Sequence, residues 1–264
     1  MQTHLSHDTF SSELKERYAR QLMLPGFGAE AQRRLSQSTV LLVGVGGLGS
    51  TLSQLLCAVG VGRLILLDAD RVSASNLQRQ ILYRTDQVGQ PKVMHAAESL
   101  RRLNPHVQIE AYDEFLTPAN ARLRAEGCNL IADGSDNAAA RYLMNDLCVG
   151  LGIPYVYGSI MDFYGQAAVF NLTEKSATYR CLFPETESSI PTTPKGVIAP
   201  LPALIASIQA QECIKILTGT CGEPLDNRLL LWDIQTHSTQ KIALTPTEEG
   251  REISLRKFGQ LPVV

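Results

Sequence analysis

The chain has no excess of basic charge, no paired cysteines and no apolar run long enough to cross a bilayer, and each lack removes a class of protein. Lys plus Arg number 24 against 26 Asp plus Glu, a formal net charge of −2. The broad positive field of non-specific nucleic-acid binders is therefore missing, and nucleic acid is not expected as a partner. The longest apolar stretches fall well short of the ~20 residues that span a membrane, so no membrane association is expected. Residues 1–12 are polar, with His4 and His7 and no apolar core of a secretory leader, which makes the cytoplasm the expected compartment. Six cysteines, Cys57, Cys128, Cys148, Cys181, Cys213 and Cys221, are scattered without one Cys-x-x-Cys pair. That argues against a disulfide framework and a sequence-local metal knuckle. Cys57, Cys148 and Cys213 lie in apolar, helix-like stretches and read as small buried hydrophobes.

What is present is a globular composition, 44% hydrophobic and 19% charged over 264 residues, enough for one large domain or two small ones. Strand-like runs at Thr39–Val43 and Arg63–Leu67 flank a helical pattern over residues 50–59, the unit of a right-handed parallel crossover. Residues 92–103 read as a helix stopped by Asn104-Pro105, followed by strands at 107–111, 128–132 and 154–158 and a helix over 137–151. The pattern predicts an α/β fold with a Rossmann-like doubly wound, mainly parallel sheet. Strands at 166–170 and 228–232 and a helix over 201–217 then predict a C-terminal mixed or antiparallel extension. The expected layout is one domain over 1–264: a polar arm at 1–16, a nucleotide-binding part at 17–160 and a second part at 161–264. Residues 183–199, rich in Pro, Ser and Thr, read as a long loop.

Gly44-Val45-Gly46-Gly47-Leu48-Gly49 follows the first strand and opens the next helix, so backbone N–H groups at a helix N-terminus can approach a phosphate. Asp68 ends the second strand, where an acidic side chain commonly accepts from ribose hydroxyls. Asp70, Asn76, Arg79, Gln80 and Lys92 crowd polar and cationic groups just beyond it. That density suits a triphosphate, because Arg forks onto phosphate oxygens and Lys adds a point charge. Asp133-Gly134-Ser135-Asp136-Asn137 stands at the sheet edge where ligands bind. Asp136 reads equally as a Mg²⁺ ligand on the phosphates or as the N-cap of the helix that starts at Asn137.

These motifs, with Arg17-Tyr18-Ala19-Arg20-Gln21, Asp68-Ala69-Asp70, Ser75-Asn76-Leu77-Gln78-Arg79-Gln80, Gly89-Gln90-Pro91-Lys92, Ser135-Asp136-Asn137 and Tyr179-Arg180-Cys181-Leu182-Phe183-Pro184, resemble the ThiF/MoeB/HesA branch of the ubiquitin-activating-enzyme superfamily in order and spacing. The resemblance runs from about residue 17 to 244. It implies an adenylyltransferase that activates the C-terminal Gly-Gly carboxylate of a small ubiquitin-like sulfur-carrier protein with ATP and Mg²⁺. Gly44, Gly46, Gly47 and Gly49 with Asp68 would then hold phosphates and ribose, Arg79 and Lys92 the phosphates, and Asp136 the Mg²⁺. Asp70, Asn76, Gln80 and Asn137 would support the pocket. Arg20 would reach into the site of the partner subunit of a homodimer. Two other outcomes stay open, a relative that adenylates a peptide C-terminus or a modified RNA, and a nucleotide-binding scaffold without turnover.

The chain departs from that pattern where the family carries two Cys-x-x-Cys pairs on a structural zinc. The first pair reads Thr178-Tyr179-Arg180-Cys181 and the second is expected at Leu261-Pro262-Val263-Val264. One thiolate cannot complete a four-donor site, so no structural zinc is expected, and Leu261 and Val264 are expected to dock the tail beside Cys181 by apolar burial. The loop cysteine of many members is replaced by Thr192, with Thr193 adjacent, and Lys195 lies in the segment over which a carrier tail would thread. Cys181 and Cys221 are then the nearest thiols to consider for reactivity. The simplest reading is an enzyme that stops at the acyl-adenylate and leaves sulfur transfer to a separate donor. Gly158 and Gly165 are candidates for making room for an extended Gly-Gly tail.

Overall fold

A computed structural model describes residues 10–184 and 196–262; Thr192, Thr193, Lys195 and Val264 lie outside the described residues. Eight strands, β1 (Thr39–Val43), β2 (Arg63–Leu67), β3 (Gln108–Tyr112), β4 (Leu130–Asp133), β5 (Tyr155–Met161), β6 (Tyr164–Phe170), β7 (Arg228–Asp233) and β8 (Ser238–Ala243), form one sheet in the order β3-β2-β1-β4-β5-β6-β7-β8. From β3 to β5 the pairs are parallel, and from β5 to β8 they are antiparallel. The doubly wound sheet and its antiparallel extension are both as expected. The chain runs outward from β1 through β2 and β3, then resumes on the other side with β4, which puts the topological switch point between β1 and β4.

The helices are α1 (Ser12–Arg17), α2 (Ala19–Leu22), α3 (Gly28–Ser36), α4 (Gly47–Val59), α5 (Lys92–Leu103), α6 (Ala121–Ala125), α7 (Ala138–Leu151), α8 (Tyr179–Leu182), α9 (Pro200–Thr218) and α10 (Glu248–Gly259). They cover both faces of the sheet, which is why β1 and β2 are continuous apolar runs rather than alternating ones. Val40 and Leu42 join Leu52 and Leu56 of α4 and Ile205 of α9 in one core. Leu41 and Val43 point the other way, into a core with Met144 and Leu147 of α7.

Local chemistry sets the ends of the elements that carry the site. α4 begins at Gly47, three residues earlier than periodicity suggests, so the glycine turn opens directly into the helix. β4 ends on Asp133 rather than Ala132, which buries that carboxylate in the sheet edge. At the far end of α4, Gly60 takes φ +88°, and the Gln21 and Gln32 amides both donate to the Val59 carbonyl, at 2.9 and 3.0 Å. α2 is thereby anchored at the opposite end of α4 from the glycine turn.

Beneath β5 and β6, α7 ties down two later helices with adjacent residues. Asp146 takes a two-pronged ion pair from Arg180 of α8, at 2.8 and 2.7 Å, with both side chains buried. Asn145 accepts from the Tyr179 N–H at 2.8 Å and donates to Ser254 of α10 at 2.9 Å. Removing one member of a buried pair strands the other charge. Asp146→Ala is therefore expected to lower unfolding free energy by about 3–5 kcal/mol, read as a lower urea midpoint.

Candidate active site

The glycine turn is built by close backbone approach. Gly44 adopts φ +89°, and a Cβ on it would stand 2.6 Å from the Gly134 carbonyl oxygen. A Cβ on Gly49 or Gly134 would run into the Gly44 carbonyl. The turn after β1 and the loop after β4 thus lie backbone against backbone. Gly46 occupies the N-cap position of α4 and offers no side-chain acceptor, which leaves the first N–H groups of that helix open to an anion.

Asp68 braces the turn: its carboxylate accepts from Val45 N–H and from Asp70 N–H, both at 2.8 Å. Burial pushes its pKa up, against the lowering pull of those two donors and of Lys92. Tyr83, which sequence patterns did not single out, is buried and donates to the Val45 carbonyl at 2.7 Å. Lys92 is buried with its ammonium 2.9 Å from the half-exposed Asp70 carboxylate. Arg79 donates to the Ser75 carbonyl at 3.2 Å, and its Nε lies 3.8 Å from where a Cβ on Gly47 would stand, beside the open end of α4. Gln80 is buried beside Gly46, and its Oε1 is buried without a hydrogen-bond partner. An acceptor orphaned in this way is what a ligand with a donor group would satisfy. Asn76 contributes its carbonyl, which takes the N–H groups of Arg79 and Gln80 at 3.0 and 2.9 Å and so shapes the turn that carries both.

The second loop hangs on Asp133, which is fully buried. Its Oδ1 accepts from Ser135 N–H and Oγ, at 2.8 and 2.6 Å; its Oδ2 accepts from Arg141 Nε and Tyr155 Oη, both at 3.0 Å. Arg141 also donates to the Ser135 carbonyl at 3.1 Å. Burial works against the Arg141 charge, but the Asp133 carboxylate more than offsets it and holds the guanidinium firmly protonated. Gln209 of α9 donates to the Asp133 carbonyl at 2.8 Å. Asp133, Arg141 and Gln209 thus fix Gly134 to Asn137, a role visible only once β4, α7 and α9 are brought together. Within that loop Asn137, not Asp136, is the N-cap, accepting from Ala140 N–H at 2.8 Å. The Asp136 carboxylate is exposed and has no capping role.

One sequence expectation changes. Gly158 and Gly165 face α9: a Cβ there would strike Gln209 and Ile205 respectively, so close helix packing accounts for both glycines. Cys181 is also met by Thr247, whose Oγ1 and N–H both lie 3.3 Å from its sulfur. Leu261 is buried in the same apolar core against which Cys181 packs.

Arg20 lies away from the glycine turn. It is exposed on α2, at the C-terminal end of the 13-residue α4, about 20 Å from the glycine turn at 1.5 Å per residue. Cys221 is similarly remote. The N-terminal Pro202 of α9 lies against Gly47, whereas Cys221 follows the far end of that helix. Among the described residues no group of three or more His, Cys, Asp or Glu is placed to hold a metal, and no helix is long and apolar enough to cross a membrane.

An open glycine-lined helix start at the switch point of a doubly wound sheet, with Arg79 beside it, is the arrangement of nucleotide-binding folds of the α/β class. The ThiF family model matches residues 18–252, and the chain belongs to that family. It is 43% identical over 242 residues to a sulfur carrier protein adenylyltransferase of Thermus thermophilus, covering 89% of both chains. It is 40% identical over 229 residues to the molybdopterin-synthase adenylyltransferase of Escherichia coli, covering 86% of this chain and 92% of that one. Among solved structures, PaaA superposes with a TM-score of 0.79 at 24% identity, covering 94% of this chain and 78% of PaaA, a likeness of fold.

Arg141→Lys keeps a cation beside Asp133 but loses the fork that also holds Ser135. It is expected to reduce ATP–pyrophosphate exchange by about 10–100-fold while ATP still raises the melting temperature.

Proposed function

We propose that this chain is an ATP-dependent adenylyltransferase that converts the C-terminal Gly-Gly carboxylate of a small ubiquitin-like sulfur-carrier protein into its acyl-adenylate, releasing pyrophosphate. What supports this reading is the open glycine-lined start of α4 with the Arg79 side chain beside it and a buried Lys92 held on Asp70, in a chain 43% identical over 242 residues to a sulfur carrier protein adenylyltransferase. Residues 17–160 hold the nucleotide and residues 161–264 meet the carrier. Six free thiols, with no disulfide, suit a reducing compartment such as the cytoplasm.

ATP binds with its phosphates on the N–H groups from Gly44 to Gly49, its charge met by Arg79 and Lys92, and its ribose within reach of Asp68. Mg²⁺ would be held by Asp136 together with phosphate oxygens, the mode in which that ion takes one or two carboxylates and substrate phosphates; it would neutralise charge on the leaving pyrophosphate. No general base is required, because the attacking carboxylate is already ionised near neutral pH. Catalysis consists of holding that carboxylate in line with the α-phosphorus in a preorganised field of cations. Arg20 cannot reach its own chain's turn, and its distance supports a role in the partner subunit of a homodimer. The carrier leaves as acyl-adenylate, and a separate donor supplies sulfur.

Arg79→Ala and Asp136→Ala are each expected to reduce carrier-dependent ATP–pyrophosphate exchange by at least about 100-fold, with circular dichroism unchanged; wild-type exchange in either variant would remove it from the site. Exchange supported by a short peptide but not by a Gly-Gly carrier would redirect the substrate, and none with any carboxylate would leave a scaffold. Mixing Arg20→Ala with Asp136→Ala subunits is expected to restore part of the activity, because one mixed site regains both residues. Confirmed mixed dimers without recovery would refute action in trans.

A further inference from the structure

Two pairs with Cys-x-x-Cys spacing face each other across the junction of α8 and α10, and only one of their four members is a thiol. Thr178 caps α8, with Cys181 three residues on; Thr247 caps α10, with Gly250 three residues on. The Cys181 sulfur lies 3.4 Å from Thr178 Oγ1 and 3.3 Å from Thr247 Oγ1, and it accepts the N–H groups of both threonines at 3.3 Å. A Cβ on Gly250 would stand 3.4 Å from that sulfur and 3.3 Å from Thr178 Oγ1. Four thiolates around zinc at 2.3 Å sit about 3.8 Å apart, so these positions have the spacing and convergence of a four-ligand metal site. Their chemistry does not fit zinc, since one thiol, two hydroxyls and a glycine hydrogen supply a single good ligand.

We propose that Thr178, Cys181, Thr247 and Gly250 are the four corners of a zinc site rebuilt without metal, and that the Thr178–Cys181–Thr247 hydrogen bonds now clasp α10 to α8. The clasp works because two helix starts point at one atom. Each capping threonine turns a backbone N–H toward the sulfur, and Thr247 Oγ1 also takes the Gly250 N–H at 3.3 Å, so the sulfur and the cap share one network. Further along α10, Ser254 on Asn145 and the Phe258 ring over Gly150 complete the attachment. Burial tends to raise the Cys181 pKa, but the threonine donors outweigh it and bring the thiol below its ordinary value. That direction agrees with a sulfur held as an acceptor.

Elemental analysis of the purified wild-type chain is expected to find no stoichiometric zinc, and a strong chelator is expected to leave its melting temperature unchanged. The variant Thr178→Cys/Thr247→Cys/Gly250→Cys is expected to bind one zinc per chain, to give the visible absorption of tetrahedral thiolate cobalt when loaded with Co²⁺, and to lose melting temperature on chelation. Thr247→Val alone is expected to lower the melting temperature by about 2–4 °C and to speed amide exchange in α10. Stoichiometric zinc in the wild type would overturn the proposal, as would a folded triple variant that takes up no metal. Should the triple variant not fold, unchanged melting and α10 exchange in Thr247→Val would overturn the clasp by itself. All these readouts are independent of adenylation.

Discussion

The contact on which the site depends is between two stretches of bare backbone. Where the turn after β1 meets the loop after β4, the Gly44 carbonyl fills the space that side chains on Gly49 and Gly134 would claim. Neither loop can be moved outward by one methyl group without separating the start of α4 from the residues that follow β4. The open N–H groups at the start of α4 and the Asp136 carboxylate follow strands joined only through a long excursion of chain, so this contact sets the spacing of the two loops. Asp68 locks one side of it from β2 and Asp133 locks the other from β4. The result is a helix start whose N–H dipoles are held in place by the loops around it, and fixed dipoles are the condition under which charge is stabilised most.

Two carboxylates three residues apart illustrate how burial divides labour. Asp133 is fully enclosed, and its two oxygens are committed to four donors on Ser135, Arg141 and Tyr155. Its charge is spent on shape. Asp136 is exposed and free of the capping role that Asn137 takes, so its charge stays available. The same division recurs beyond β2, where Asp68 holds backbone and Asp70 holds the Lys92 ammonium. In each pair the buried member positions and the exposed member can meet solvent or ligand.

Much of this was legible in the chain. Continuous runs such as Thr39–Val43 and Arg63–Leu67 announce strands covered on both faces, and the glycine turn lies between them. β8 was not legible, because every one of its residues is exposed and no alternation of apolar and polar side chains marks it. α10 was missed because its charged sequence carries few apolar residues and its attachment rests on specific contacts, Thr247 to Cys181 and Ser254 to Asn145. Arg141 and Gln209 escaped notice for another reason: nothing local distinguishes a buried arginine or glutamine that serves a loop on another element.

The position of α2 has one more consequence. Arg20 rides at the end of α4 that points away from the glycine turn; on the proposed reading, in which it serves the partner subunit, a chain alone would hold an incomplete site. Were the arginine to act across a two-fold interface as proposed, turnover would follow mass action between subunits. At concentrations below the dimer's dissociation constant the folded chains would bind nucleotide and do little else. Idle chains would then be silent without any inhibitor, and specific activity would rise with protein concentration until every site had borrowed its arginine.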